Sequence, residues 1–128
     1  MDSNALYNIT YGLYVVGCYS DDKPAGCIVN TCFQVTSENP TLAICLNKKN
    51  YADFGYVDLD GAPAVKGNFC GRLVLDATDF IDCGTHVIVI SKLKDTQDGS
   101  GAPMTYEYYH KVIKGSAPKN APTYRSEQ

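Results

Sequence analysis

The chain has 128 residues and a formal net charge of −3, a size that suits one domain with one real core. Its acidic balance argues against a nucleic-acid binder, which would normally carry a basic field. The longest apolar runs, "LYVVGCY" and "HVIVI", fall far short of a membrane-spanning helix, and "MDSNALYNIT" has neither the basic stretch nor the apolar run of a signal peptide.

At the N-terminus, Ser3 is placed to cap a short helix, with Leu6 and Ile9 about one turn apart on one face. "YGLYVVGCYS" is rich in Tyr and Val and predicts a strand. "DDKPAG" predicts a turn, "CIVNTCFQV" a second strand and "SENP" another turn. "TLAICLN" is nearly all apolar, so a third strand covered on both faces is expected. "KKNYADF" can start a short helix with Asn47 as its cap. "GYVDLDGAPAV" reads as irregular, with a turn at Asp60-Gly61.

Further on, "NFCGRLVLDATDFID" carries a broken strand pattern around Leu73 to Ala77. "GTHVIVISKLKD" alternates His86, Ile88 and Ile90 against Val87, Val89 and Ser91, a firm strand signal. "TQDGSGAP" predicts a mobile loop. "MTYEYYHKVI" predicts a return strand, with Tyr106 and Tyr108 on one face and Glu107 and Tyr109 on the other. An extended tail is expected from about residue 115. About six strands with one or two short helices predict a mostly β, small antiparallel barrel, closed or nearly so, in a single domain over 1–128.

Six cysteines are present: Cys18, Cys27, Cys32, Cys45, Cys70 and Cys83. None is spaced C-x-x-C and no nearby His completes a zinc pattern, so no metal site is expected. Most sit among aliphatic residues, as reduced core thiols of a cytoplasmic protein do. Cys27 and Cys32, on one regular strand, would face opposite sides. Cys32, beside Asn30 and Gln34, is also a candidate for a pocket wall.

The polar residues of "VNTCFQVTSENPTLAICLNKKN" ask for partners. An unpaired buried amide costs about 1–3 kcal/mol, so Asn30, Thr31, Gln34, Thr36 and Ser37 either sit in turns or meet a ligand. A strand of alternating amides and apolar groups matches an isoalloxazine ring, polar along one edge and apolar on its faces. Backbone N–H groups at the turn after "LN", with Lys48 and Lys49, favour an anion such as a phosphate. The plain alternative is that Thr36 and Ser37 only build the turn and the lysines are solvated charges.

"NITYGLYVVG", "VNTCFQVTSENPTLAICLNKKN", "DCGTHVIVI" and "GAPMTYEYYHKVIKGSAPKNAPTY" together resemble the flavin reductase-like family. The likeness covers nearly the whole chain and is nearest to the flavin domain of high-molecular-weight rubredoxins and to flavoredoxins. It implies a Greek-key, FMN-binding split barrel, a homodimer with flavin at its interface, and electron transfer from NADH or NADPH through flavin to free flavin, iron or a separate redox protein. Carried over by match, Asn30, Thr31, Cys32, Gln34, Thr36 and Ser37 would contact the flavin ring and ribityl chain. Asn47, Lys48, Lys49 and Asn50 would hold its phosphate, and Tyr106 and Tyr109 would lie near it. His86 falls where many members carry Gly-Asp-His, a histidine linked to nicotinamide binding; here the run is Gly84-Thr85-His86.

The resemblance breaks between "KNYADF" and "GAPAV", where the family has a helix, a strand and a flavin-holding loop and this chain keeps little besides "GYVDLD". A missing strand opens a barrel edge that a partner chain would cover. The same loss leaves two other readings: a flavin-binding electron carrier without catalysis, or a shrunken dimeric relative with a vestigial site. The iron-binding Cys pairs of a rubredoxin domain are not found, so a downstream carrier is expected to be a separate molecule.

Overall fold

The computed structural model describes residues 1–49 and 56–113. Their strands are β1 (Tyr14–Ser20), β2 (Lys23–Val29), β3 (Cys32–Thr36), β4 (Thr41–Asn47), β5 (Tyr56–Leu59), β6 (Ala62–Val65), β7 (Gly71–Asp82) and β8 (His86–Asp98). All pair antiparallel, in three sheets: β1-β2, β3-β4-β8-β7 and β5-β6. Among the described residues these sheets do not join into one closed ladder.

Local chemistry explains the hairpins. Ser20 pairs with Lys23, so the first loop is only Asp21-Asp22, both at positive φ (51° and 62°). Two left-handed residues in a two-residue loop match the twist of the flanking strands. The predicted turn "DDKPAG" is therefore too long, and Pro24 sits inside an edge strand, where its missing N–H costs no ladder bond. Asp60-Gly61 turns the same way (φ 52° and 87°) between Leu59 and Ala62. The stretch expected to be irregular is a hairpin, β5-β6.

That hairpin is pinned to the rest. A Cβ on Gly17 of β1 would lie 2.7 Å from the Pro63 carbonyl oxygen, so only glycine lets β6 approach. Arg72 of β7 donates to the carbonyls of Val65 (2.9 Å) and Gly67 (3.2 Å), and Lys94 donates to the carbonyl of Asp60 (3.0 Å).

Other expectations need correction. "CIVNTCFQV" is two strands, broken at Asn30-Thr31, and each joins a different sheet. The break turns Cys32 to the same side as Cys27: it packs against the buried cluster of Cys27, Val29 and Ile44, with Val16, Leu46 and Leu75. The broken pattern around Leu73 is one strand of 12 residues, bent by register shifts at Val74/Leu75 and Ala77/Asp79. Thr96 to Asp98, expected in a loop, extend β8. The N-terminal turn, Ser3–Asn8, is a 3₁₀-helix capped by Asp2 and not Ser3, the Asp2 carboxylate accepting from the Asn4 N–H at 3.0 Å. The "MTYEYYHKVI" segment is not a strand: Thr105 caps an α-helical turn at Tyr106–Tyr108 that runs into a π-helical turn at Tyr109–Ile113.

In β4 the apolar run behaves as expected. Leu42, Ala43 and Ile44 are buried, and Val89 and Ser91 of β8 lie beneath the same sheet face as Leu42 and Ile44. Each such aliphatic side chain stabilises the fold by about 1.5–3 kcal/mol. The opposite face is less well covered. Register places Phe33 beside Ala43 and Ile81 beside Ile88, and Phe33, Val35 and Ile81 are 56%, 52% and 50% exposed. All six cysteines are free thiols, but only Cys27 is buried; Cys32 and Cys45 are half-buried and Cys18, Cys70 and Cys83 are exposed, against the expected core placement. No helix among the described residues is long and apolar enough to cross a membrane.

Candidate functional site

Antiparallel pairing of β3 with β4 brings one end of each together. Cys32 lies opposite Ile44, and the Cys45 N–H donates to the Thr31 carbonyl at 3.1 Å. Asn30, Thr31 and Cys32 therefore stand at the same sheet end as Asn47, Lys48 and Lys49. Asn47 pairs directly with His86, the first residue of β8, and the Lys48 N–H donates to the Thr85 carbonyl at 3.1 Å. Six sequence-predicted positions and His86 thus converge at one end of a three-strand ladder.

Gln34, Thr36 and Ser37 do not join them. They lie at the far, turn end of the β3-β4 hairpin. There Gln34 Nε2 donates to the Thr36 carbonyl (2.9 Å), Thr36 Oγ1 donates to the Asn39 carbonyl (3.2 Å), and the Thr41 N–H donates back to Thr36 Oγ1 (3.1 Å). The turn reading accounts for Gln34 and Thr36. Asn50 lies outside the described residues.

The converging residues have distinct local duties. Asn47 is buried, and its Oδ1 accepts from the Lys49 N–H at 3.0 Å, which shapes the Lys48-Lys49 corner. Thr31 Oγ1 donates to Asn30 Oδ1 at 3.0 Å. Lys48 Nζ is paired with Asp82 Oδ1 at 2.7 Å. Lys49 is exposed and forms no ion pair with the described residues. His86 is half-buried with Nδ1 2.8 Å from Thr85 Oγ1.

Asp82 was not found from sequence. Its carboxylate also accepts from the Gly84 N–H at 2.8 Å, closing the β7-β8 turn. The Lys48 hydrogen bond, the Gly84 N–H and the lysine's charge hold its carboxyl below the usual carboxylate value. Only the D-C-G turn signature hinted at it; its partnership with Lys48 depends on register across three strands. Burial pushes the thiols of Cys32 and Cys45 up, so both are neutral walls and not thiolates near pH 7. Among the described residues no group of three or more His, Cys, Asp or Glu could hold a metal ion.

A second feature borders the entry to β1. Gly12 bridges Thr105, and the Tyr106 N–H donates to the Tyr11 carbonyl at 3.0 Å. This docks the C-terminal helical turns on the chain just before Tyr14, whose strand partner, Val29, precedes Asn30. Tyr106 is buried, edge-on to Tyr11 with ring centroids 6.5 Å apart. It stacks on His110, one helical turn later, at 6.0 Å and 12°. Tyr109 is half-buried at the start of the π-helical turn. Between the N-terminal turn and these residues lies a cavity of about 370 Å³, lined by Leu6 to Tyr11 and by Thr105, Tyr106, Glu107, His110 and Lys111. His110 Nδ1 is sealed from solvent and has no hydrogen-bond partner among the described residues, a loss of about 1–3 kcal/mol. The i, i+4 spacing of Tyr106 and His110 was the signal available in sequence.

No family model matches the chain. It is 31% identical to the high molecular weight rubredoxin of Moorella thermoacetica over 165 residues, spanning 97% of this chain and 72% of that protein. The chain belongs to the flavin reductase-like family. It is also 28% identical to the ferric-chelate reductase (NAD(P)H) of Archaeoglobus fulgidus over 165 residues, spanning 97% of this chain and 98% of that one. Both aligned spans exceed the chain's 128 residues, so each relative carries residues that this family member lacks. In three dimensions the chain is similar to the flavin reductase PheA2, with a TM-score of 0.69 at 15% identity, covering 82% of this chain and 93% of that one. The mostly β, split-barrel fold expected from sequence is the fold observed.

The donor set at the β3-β4-β8 end suits the flavin that the family implies. An amide and a hydroxyl (Asn30, Thr31) flank a neutral apolar wall at Cys32, and Lys49, which forms no ion pair with the described residues, stands beside a second cation, Lys48.

Proposed function

We propose that this chain is a flavin-dependent oxidoreductase that binds FMN and accepts electrons from NADH or NADPH. One observation carries the reading: in a member of this family, Asn30, Thr31, Asn47, Lys48, Lys49 and His86 come together at a single sheet end. Bound FMN would supply the hydride-accepting chemistry. The chain's own part is positional. Asn30 and Thr31 offer an amide and a hydroxyl to the ring edge, Cys32 its apolar wall, and Lys49 with Lys48 a cationic corner for the phosphate. Asn47 holds that corner in shape through the Lys49 N–H. His86, fixed by Thr85, lies beside the same end and orients the nicotinamide.

The exposed Phe33, Val35 and Ile81 on the outer sheet face support a homodimer, as do the edges of β3 and β7, which no other strand of the described residues pairs. A single domain over 1–128, a cytoplasmic setting consistent with six free thiols, and a separate redox protein as one possible acceptor complete the proposal.

A second reading has its own support. Lys48 is already neutralised by Asp82, and the chain lacks residues present in its relatives. These favour an electron carrier that binds flavin but oxidises NAD(P)H slowly. Purified protein mixed with FMN and then NADH under anaerobic conditions separates the two: rapid bleaching of the flavin supports the reductase, and bound but unbleached flavin supports the carrier.

A further inference from the structure

The entry to β1 carries an aromatic ring that has no part yet in the proposed flavin site. Tyr14, the first residue of β1, pairs with Val29, and the residue after Val29 is Asn30. Paired residues of an antiparallel ladder share a face. Tyr14 therefore stands on the side of Val29, toward the buried cluster against which Cys32 also packs. Its ring folds back over Gly12: a Cβ there would lie 2.5 Å from the Tyr14 hydroxyl and 2.7 Å from the ring carbon that bears it. Only glycine leaves that space, and Gly12 is itself fixed by its bridge to Thr105. In the antiparallel pair the ring thus leans toward the end where β2 gives way to Asn30 and Thr31.

The ring's surroundings suit a flat, mostly apolar ligand. Tyr14 is 39% exposed although its ladder partner, Val29, is only 6% exposed, so an aromatic surface is left open at the rim of the core. Its phenol is neutral: burial, then the neighbouring thiols of Cys32 and Cys70, push its ionisation above 10.0. Cys32, the neutral wall of the flavin site, thus lies beside it. The tyrosines that the resemblance placed near the flavin are engaged elsewhere, Tyr106 being buried against Tyr11 and His110. We propose that Tyr14 is an aromatic wall of the flavin site, its ring set by Gly12 to meet the isoalloxazine beside Asn30, Thr31 and Cys32. The assignment rests on the function proposed above. It gives the site a stacking surface that its amides and lysines do not supply.

The test reads the flavin and not turnover. Full-length protein is saturated with FMN or with riboflavin, and the fluorescence lifetime of the bound flavin is recorded. An excited flavin takes an electron from a tyrosine ring in contact with it and returns it without emitting light; phenylalanine does not give that electron. Wild-type protein should therefore hold both flavins in a strongly quenched state. Tyr14→Phe, which keeps the packing, should lengthen the lifetime several-fold while the Kd for FMN stays within a few-fold. Gly12→Ala, which keeps the tyrosine but drives its ring aside, should lengthen it as well. Tyr14→Ala should weaken FMN and riboflavin equally, by about tenfold, since a stacked ring does not meet the phosphate. A bound-flavin lifetime that is the same in wild type and Tyr14→Phe would overturn the proposal, as would a loss in Tyr14→Ala confined to FMN. The functional reading fails differently: neither flavin would bind the wild-type protein, and the wall would fall with it.

Discussion

Lys48 Nζ and Asp82 Oδ1 lie 2.7 Å apart, joining the end of β4 to the end of β7 across the intervening β8. The pair is exposed, so its own stabilising effect is small. Its consequence is electrostatic: of two adjacent lysines, Lys48 is paired with a carboxylate and Lys49, among the described residues, is not. Lys49→Ala should therefore weaken FMN binding more than Lys48→Ala, by roughly tenfold against a few-fold. Asp82→Asn should tighten FMN binding a few-fold. Riboflavin, without the phosphate, should respond less than twofold to any of these changes. Fluorescence quenching titrations of both flavins check the set.

Asp82 also predicts an acid limb. Its carboxyl is held below the ordinary 3.8 by Lys48 and Gly84. A lowered folded-state value adds stability above the unfolded value and loses it as pH falls through the folded one. The loss therefore lies below pH 3.8. Thermal melts of Asp82→Asn should run parallel to wild type near neutrality and fall less steeply in that acid range.

Tyr19 gives the opposite sign. Its hydroxyl donates to Asp58 Oδ2 at 2.9 Å, edge-on to Tyr56. Desolvation, that hydrogen bond and the carboxylate's charge push the phenol from 10.0 up to about 12. A raised folded-state value contributes stability below pH 10 that disappears as pH climbs toward 12. In an ultraviolet titration Tyr19 should ionise late; Tyr19→Phe should delete that contribution and Asp58→Asn should bring it down toward 10.

How much of this was legible in the residues depends on the range of the interaction. The alternation from His86 to Ser91 and the unbroken apolar run of β4 report burial directly, and both strands formed where expected. Asp60-Gly61 reads as a turn because both residues tolerate positive φ. The break at Asn30-Thr31 has no Gly or Pro to mark it, so the chain's switch from one sheet to another was invisible. In "YEYYH" the aromatic residues fit a period of two as well as a helical one, and Thr105, as the cap, decides for the helix. The site divides likewise. That Asn47 lies beside His86 follows from the β4-β8 register, which no local pattern encodes. The resemblance placed Gln34, Thr36 and Ser37 with the flavin; the local bonds of the hairpin turn hold Gln34 and Thr36 at the other end.

Two packing changes test the frame that carries the site. Ile44, 7% exposed in the buried cluster, should cost about 2–5 kcal/mol on substitution by alanine. Gly17→Ala should push the Pro63 carbonyl away from β1, since the new Cβ would sit at 2.7 Å. Its expected signature is lower stability with loss of hydrogen-exchange protection in β5 and β6.

His86→Ala should separate the two ligands. His86 is assigned to the nicotinamide and not to the flavin, so KM for NADH should rise about tenfold while the Kd for FMN changes less than twofold. Equal weakening of both would place His86 at the flavin itself.

The most direct measurement is a flavin titration of Asn30→Ala, Lys49→Ala and the combined variant against wild type. A flavin gripped by its ring edge at Asn30 and by its phosphate at Lys49 predicts tight, stoichiometric FMN binding to wild type, a loss in each single variant and near-complete loss in the double. FMN binding of unchanged strength in all four proteins, or none in any, would contradict the site.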